Sequence, residues 1–232
     1  MSLRLPLFLL ATVALAQPAS AASRNFTVTG FDRIRLDGPF RVSLKTGVAP
    51  FAKATGSPAA LNGIAIDVQG QTLVVRRNPS ASSAYPGESP GPVEIRLGTH
   101  DLNAAWVNGA GSLSIDTVKA QVFDLSIQGP GSIEIGRLTA DRLRAGLSGS
   151  GSAKIGGAAA EVKAVIRGTS SFEGAALSAK DATLGAEGTA VVRLTATGTA
   201  KVDAQGTALV ELSGRPACTV RANGSAVVSG CR

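Results

Sequence analysis

Four carboxylates, Asp101, Asp141, Glu161 and Asp181, fall near one another in a period of about twenty residues, with Gln121 in the intervening place. Paired carboxylates are what glycosidic-bond chemistry requires, one protonating the leaving oxygen and the other acting as base or nucleophile. Lys119, Arg142 and Lys180 stand beside them and would neutralise them. A solvated face of mixed charge is the plainer reading. His100 is the only histidine, and nothing around it resembles the nucleophile motif that a Ser-His-Asp triad would need. One histidine and two cysteines supply neither a His-based nor a Cys-rich zinc site. No GxxxxGK[ST] phosphate loop is present. The sequence therefore predicts no catalytic group, no metal and no cofactor. What remains is aromatic. Trp106 and Tyr85 are each the only one of their kind, and such a ring can stack on a sugar or pack at an interface.

The elements that position these residues are written in the glycines. Of 232 residues 28 are glycine, and aromatics make up only 4%. A bulky core is excluded, and a thin one of Ala, Val, Leu and Ile fits. Gly109, Gly129, Gly149, Gly168, Gly188, Gly206 and Gly224 recur at spacings of 20, 20, 19, 20, 18 and 18. Aligned on them, the columns four after (Leu113, Ile133, Ala153, Phe172) and two before (Val107, Ile127, Leu147, Ile166) are apolar, as are their neighbours two places away. Period two within a unit means strands, and a period near twenty between units means that strands stack rung on rung. The fold class is all-β, a parallel β-helix with rungs of about 18–20 residues. Each repeat glycine marks a corner, where a tight turn favours positive φ. A further column, Val118, Leu138, Ala158 and Leu177, predicts a third side. It is lost from the last, shorter units, so the coil is expected to narrow.

Five places after the glycine, Glu134, Lys154, Glu173, Arg193 and Glu211 alternate in sign. At the inter-strand spacing of about 4.8 Å they form a ladder of opposite charges that fixes register. The place before the glycine, with Asn108 and Gln128, is a polar stripe. Trp106 is three before Gly109, in an outward column beside Asn108, where it either packs beneath the N-terminal segment or the 78–92 loop, which is the plainer reading, or meets a ligand.

Residues 22–98 are less regular. Phe26–Thr29, Arg33–Leu36, Arg41–Lys45, Ile64–Val68, Leu73–Arg77 and Val93–Leu97 read as strands, forming the first rungs and an N-terminal cover. Ser57 and Pro58 begin one helical turn. The Pro-, Ser- and Gly-rich segment from Asn78 to Pro92, which holds Tyr85, reads as a surface loop. The regular rungs occupy 99–232, so 22–232 is expected to be a single domain.

Residues 1–21 have the form of an export signal: Arg4, an apolar run from Leu5 to Ala16, and Ala19-Ser20-Ala21 as cleavage site. That run is too short to span a membrane, and the mature chain is expected to hold no integral membrane segment. Export to the periplasm or cell surface would place Cys218 and Cys231 in an oxidising compartment, where a disulfide closes the last rung. The net charge of +7 is scattered without a basic run, so nucleic acid is not an expected partner.

Val28-Thr-Gly-Phe31-Asp32-Arg33-Ile34, Leu73-Val-Val after a glycine turn, Val93-Glu-Ile and the repeated Gly-x-Gly-Ser units resemble the DUF2807 family, the auto-transporter adhesin head or GIN domain, over roughly 26–230. After Gly188 the units depart to Gly-Thr-Ala. The resemblance implies a parallel β-helix in an exported bacterial protein and carries over no catalytic residue. The expected function is a non-catalytic cell-envelope or surface binding module for a glycan or an envelope protein. Its candidate contacts are Trp106, Asn108, Gln128 and Tyr85. The alternative is a polysaccharide-active β-helix enzyme using the carboxylates.

Overall fold

The computed structural model describes residues 22–81 and 91–232. The expected export signal, Tyr85 and most of the segment between Asn78 and Pro92 lie outside the described residues.

The repeat glycines divide the coil into rungs. β9 (Ser112–Gly129), β10 (Ser132–Gly149), β11 (Ser152–Gly168), β12 (Ser171–Gly188) and β13 (Val191–Gly206) each run through almost a whole turn and pair in parallel. Beyond β13 the coil is broken into β14 (Leu209–Ser213) and β15 (Ala217–Gly224), which pair with β13, and β16 (Val227–Ser229), which pairs with β14. The predicted inward columns are the core: Leu113, Ile133, Ala153 and Phe172 are at most 1% exposed. Burying them in one continuous column is the main stabilising term, since no rung could cover its own apolar face. At the corners, each repeat glycine has positive φ. A Cβ on Gly149 would stand 3.1 Å from the Cα of Gly129, so the corners also need the missing side chain.

The charge ladder forms as ion pairs: Lys154 to Glu134 at 3.1 Å, and Arg193 to both Glu173 and Glu211 at 2.6 Å. The Arg193 guanidinium is held above its ordinary pKa, first by its hydrogen bond to Glu211.

The third-side column needs one correction. Gly157, not Ala158, stands between Leu138 and Leu177, and Ala158 is exposed. The unit is one residue shorter, and the register slips just before Gly157. Gly157 has φ 118°, and a Cβ there would overlap the backbone of Leu138. The expected narrowing is real: between β12 and β13 the register slips between Gly174 and Ser178 and again between Ala179 and Asp181.

The N-terminal part is not stacked in chain order. β2 (Arg33–Asp37) lies between β6 (Thr72–Arg77) and β8 (Ala104–Asn108). β3 (Arg41–Lys45) lies between β7 (Glu94–Gly98) and β9. The described chain begins in the cover with β1 (Ala22–Phe26), drops into the coil with β2 and β3, climbs back to the end with β4 (Phe51–Gly56) and β5 (Ile64–Gln69), and returns through β6 and β7 to pass beneath β2 and β3 as β8 and β9. Asn103 and Thr99 seal the crossing, with hydrogen bonds to the carbonyls of Asp32 and Phe31. The end is covered by antiparallel strands: β1 on β4, β4 on β7, and β5 on β6. Strand β1 lies earlier than the expected Phe26–Thr29, and β4 is an additional strand. Its inward residues are Ala52 and Ala54, weak strand formers whose place is set by packing. Helix α1 (Pro58–Asn62) is the predicted turn, and the Ser57 hydroxyl accepts from the Ala60 N–H at 3.1 Å.

Candidate functional site

The site follows from strand alternation. Inward residues of β2, β6 and β8 fill the core, so Arg33, Arg35 and Asp37, then Thr72 and Val74, then Trp106 and Asn108 face out. Parallel register makes Val74, Arg35 and Trp106 neighbours across three strands, with Ser126 next in line. Trp106, Arg35, Val74, Thr72 and Gln69 of β5 line a groove of about 350 Å³.

Of its polar groups, Arg35 is fixed by a carboxylate beside the groove. Asp37 accepts from the Arg35 Nε at 3.0 Å through one oxygen and from the Asn108 Nδ2 at 2.7 Å through the other. Of the predicted contact residues, the structure brings Trp106, Asn108 and Gln128 onto one outward face, with Asn108 and Gln128 in register. Trp106 and Asn108 are partly buried, and Gln128 is exposed. Arg35, Asp37, Gln69 and Thr72 were not anticipated. Alternation alone places Arg35 and Asp37 outward, but their meeting with Trp106 depends on β2 being inserted beneath β6.

The carboxylates form a second, open groove of about 780 Å³ that Asp141, Arg142, Glu161, Lys180 and Asp181 help to line. Arg142, Glu161, Asp181 and Thr199 occupy one column on successive rungs, with Asp141 one place off it. Asp101 lies apart, in the segment before β8. The Arg142 Nε donates to Glu161 at 2.8 Å, and the Lys163 ammonium stands 3.1 Å from it. Both lower its pKa, Arg142 first. Asp181 accepts from the Thr199 hydroxyl at 2.5 Å and from its backbone N–H at 3.1 Å, which lower its pKa as well. A general acid needs the opposite shift, because it must hold a proton near neutral pH. The arrangement is that of a solvated ladder.

Among the described residues, no three His, Cys, Asp or Glu side chains gather to hold a metal. No described helix is long and apolar enough to cross a membrane. Cys218 and Cys231 form the predicted disulfide.

Fold and site together define a parallel β-helix that displays an aromatic groove on a rigid outer face. The chain belongs to the DUF2807 family, described as "Putative auto-transporter adhesin, head GIN domain", whose model matches residues 30–216. No curated protein matches the chain. A solved structure titled a "putative adhesin" from Bacteroides fragilis is similar, with a TM-score of 0.78 at 19% identity, covering 90% of this chain and 94% of that one. A "putative lipid binding protein" from Parabacteroides distasonis aligns with a TM-score of 0.72 at 16% identity, covering 91% and 97%. A "putative adhesin" from Parabacteroides merdae aligns with a TM-score of 0.70 at 15% identity, covering 91% and 96%. At such identities the likeness establishes the fold.

Proposed function

We propose that this protein is an exported, non-catalytic binding module of the cell envelope or cell surface, and that the face around Trp106 is its binding site. The observation that carries the reading is the Trp106 groove, whose polar edge is held by the Asp37 bonds to Arg35 and Asn108. Binding sites are characteristically concave, with an apolar floor and a few fixed polar groups. Strands of a packed coil hold such groups more firmly than loops do. The adhesin descriptions of the family and of its solved relatives agree with this reading. The disulfide fits a compartment outside the cytoplasm. The enzymatic alternative has less support, because both stacked carboxylates are held in the charged form.

The test is a binding screen of residues 22–232 against glycans and cell-envelope proteins, with Trp106→Ala as control. The expected result is retention of a glycan or an envelope protein that the variant loses. Retention that is indifferent to Trp106→Ala would place the site elsewhere.

A further inference from the structure

We propose that the Trp106 groove takes an acidic saccharide, with a sugar ring on the indole and its carboxylate on the Arg35 guanidinium; this rests on the binding reading above. Among the described residues Arg35 is the only charged residue in the lining, and no carboxylate lines the groove. Through its Nε, Arg35 is committed to Asp37. Among the described residues its two Nη groups have no hydrogen-bond partner. A guanidinium held by one edge offers its remaining N–H groups to a planar two-oxygen acceptor, which is the geometry of Arg–carboxylate recognition. Asp37 is itself held by Asn108, so Arg35 is oriented before any ligand arrives.

The rest of the lining suits a ring with hydroxyls. Trp106 gives an apolar platform, with Val74 beside it only 1% exposed, and Gln69 and Thr72 are neutral groups that both donate and accept. Next to Trp106 in the outward register come Ser126 and then Gly146. Nothing lies within 4 Å of where a Gly146 Cβ would be, so neither clash nor positive φ requires that glycine. Glycine inside a strand weakens it and is often kept where a ligand approaches the backbone. The low floor lets a sugar chain continue from the groove along the coil axis.

The test titrates residues 22–232 with hexagalacturonate and with the same hexamer fully methyl-esterified, by calorimetry. Emission from Trp106, the only tryptophan, reports whether the ligand sits at this groove. The expected result is a change in Trp106 emission and at least about tenfold tighter binding of the acid than of the ester, the scale of a charge-assisted bidentate contact. Arg35→Gln should abolish that preference, so that the acid binds no more tightly than the ester. Arg35→Lys, which keeps the charge without the fork, should fall between. Melting curves of both variants check that the coil is intact. Equal affinity for acid and ester, each lost in Trp106→Ala, would overturn the acidic ligand and leave the binding face standing. Binding of neither hexamer, or acid preference that survives Arg35→Gln, would overturn the proposal. If the envelope screen also showed no dependence on Trp106, the binding reading would fail with it.

Discussion

Reducing the bridge between Cys218 and Cys231 is expected to loosen one end of the coil and leave the rest untouched. The bridge spans 13 residues, from β15 to just beyond β16. In the chain-entropy treatment a loop of that size contributes about 3 kcal/mol. In a stacked coil each rung touches only its neighbours, so the loss falls on the rung that the bridge closes. That rung has little else to hold it. Val220, in an inward column, is 42% exposed, with no further rung beneath it among the described residues. Its amides are bonded only upward, Ser225 to the Gly206 carbonyl at 2.8 Å and Val227 to that of Ala208 at 2.9 Å. The assay is native-state hydrogen exchange on oxidised protein and on a Cys218→Ser, Cys231→Ser variant. About 3 kcal/mol is a factor of about a hundred in the opening equilibrium. Protection of the amides of Ser225 and Val227 should fall by about that factor, while the amides of β9 to β11 keep theirs. A uniform loss along the chain would mean that the coil opens as one unit. No change at β15 and β16 would mean that the bridge does not stabilise the end.

Three further predictions concern stability. Ser170 is fully buried in a corner column, and its hydroxyl has no partner among the described residues; Ser170→Ala should raise stability by about 1 kcal/mol in urea unfolding, because it removes an unpaired buried hydroxyl. Gly157→Ala should cost at least about 2 kcal/mol by the same measurement, from its positive φ and the overlap with Leu138. Glu161 and Asp181 have lowered folded-state pKa values, so their contribution is present above the ordinary carboxylate pKa and lost as pH falls through the folded one. The melting temperature should therefore drop on acidification below the ordinary carboxylate range, and Glu161→Gln with Asp181→Asn should flatten that drop.

The coil was legible because its constraints repeat. Seven corner glycines and the alternating columns between them report one geometry several times, so a single departure such as the Gly157 slip costs only one assignment. The cysteine pair was legible from the end of that count. The N-terminal part presents each of its elements once. Nothing local in Arg33–Asp37 says that it will lie beneath β6 rather than in chain order, because that placement is decided by long-range burial of Ile34 and Leu36. Strand β4 was hidden for a related reason, since Ala52 and Ala54 carry little strand preference of their own. The candidate site divides along the same line. Trp106, Asn108 and Gln128 share a face that the repeat dictates, whereas Arg35, Asp37 and Gln69 reach it only through the out-of-order stacking.

Affinity electrophoresis tests the central claim, that the face around Trp106 binds and does not catalyse. The chain from residue 22 onward is run through gels containing an acidic polysaccharide, beside Trp106→Ala. The account predicts retardation of the first, free migration of the variant, and no clearing of the polysaccharide in either lane. Equal retardation of both would remove the site from Trp106. A cleared zone that disappears in Asp141→Ala would show an enzyme and contradict the account.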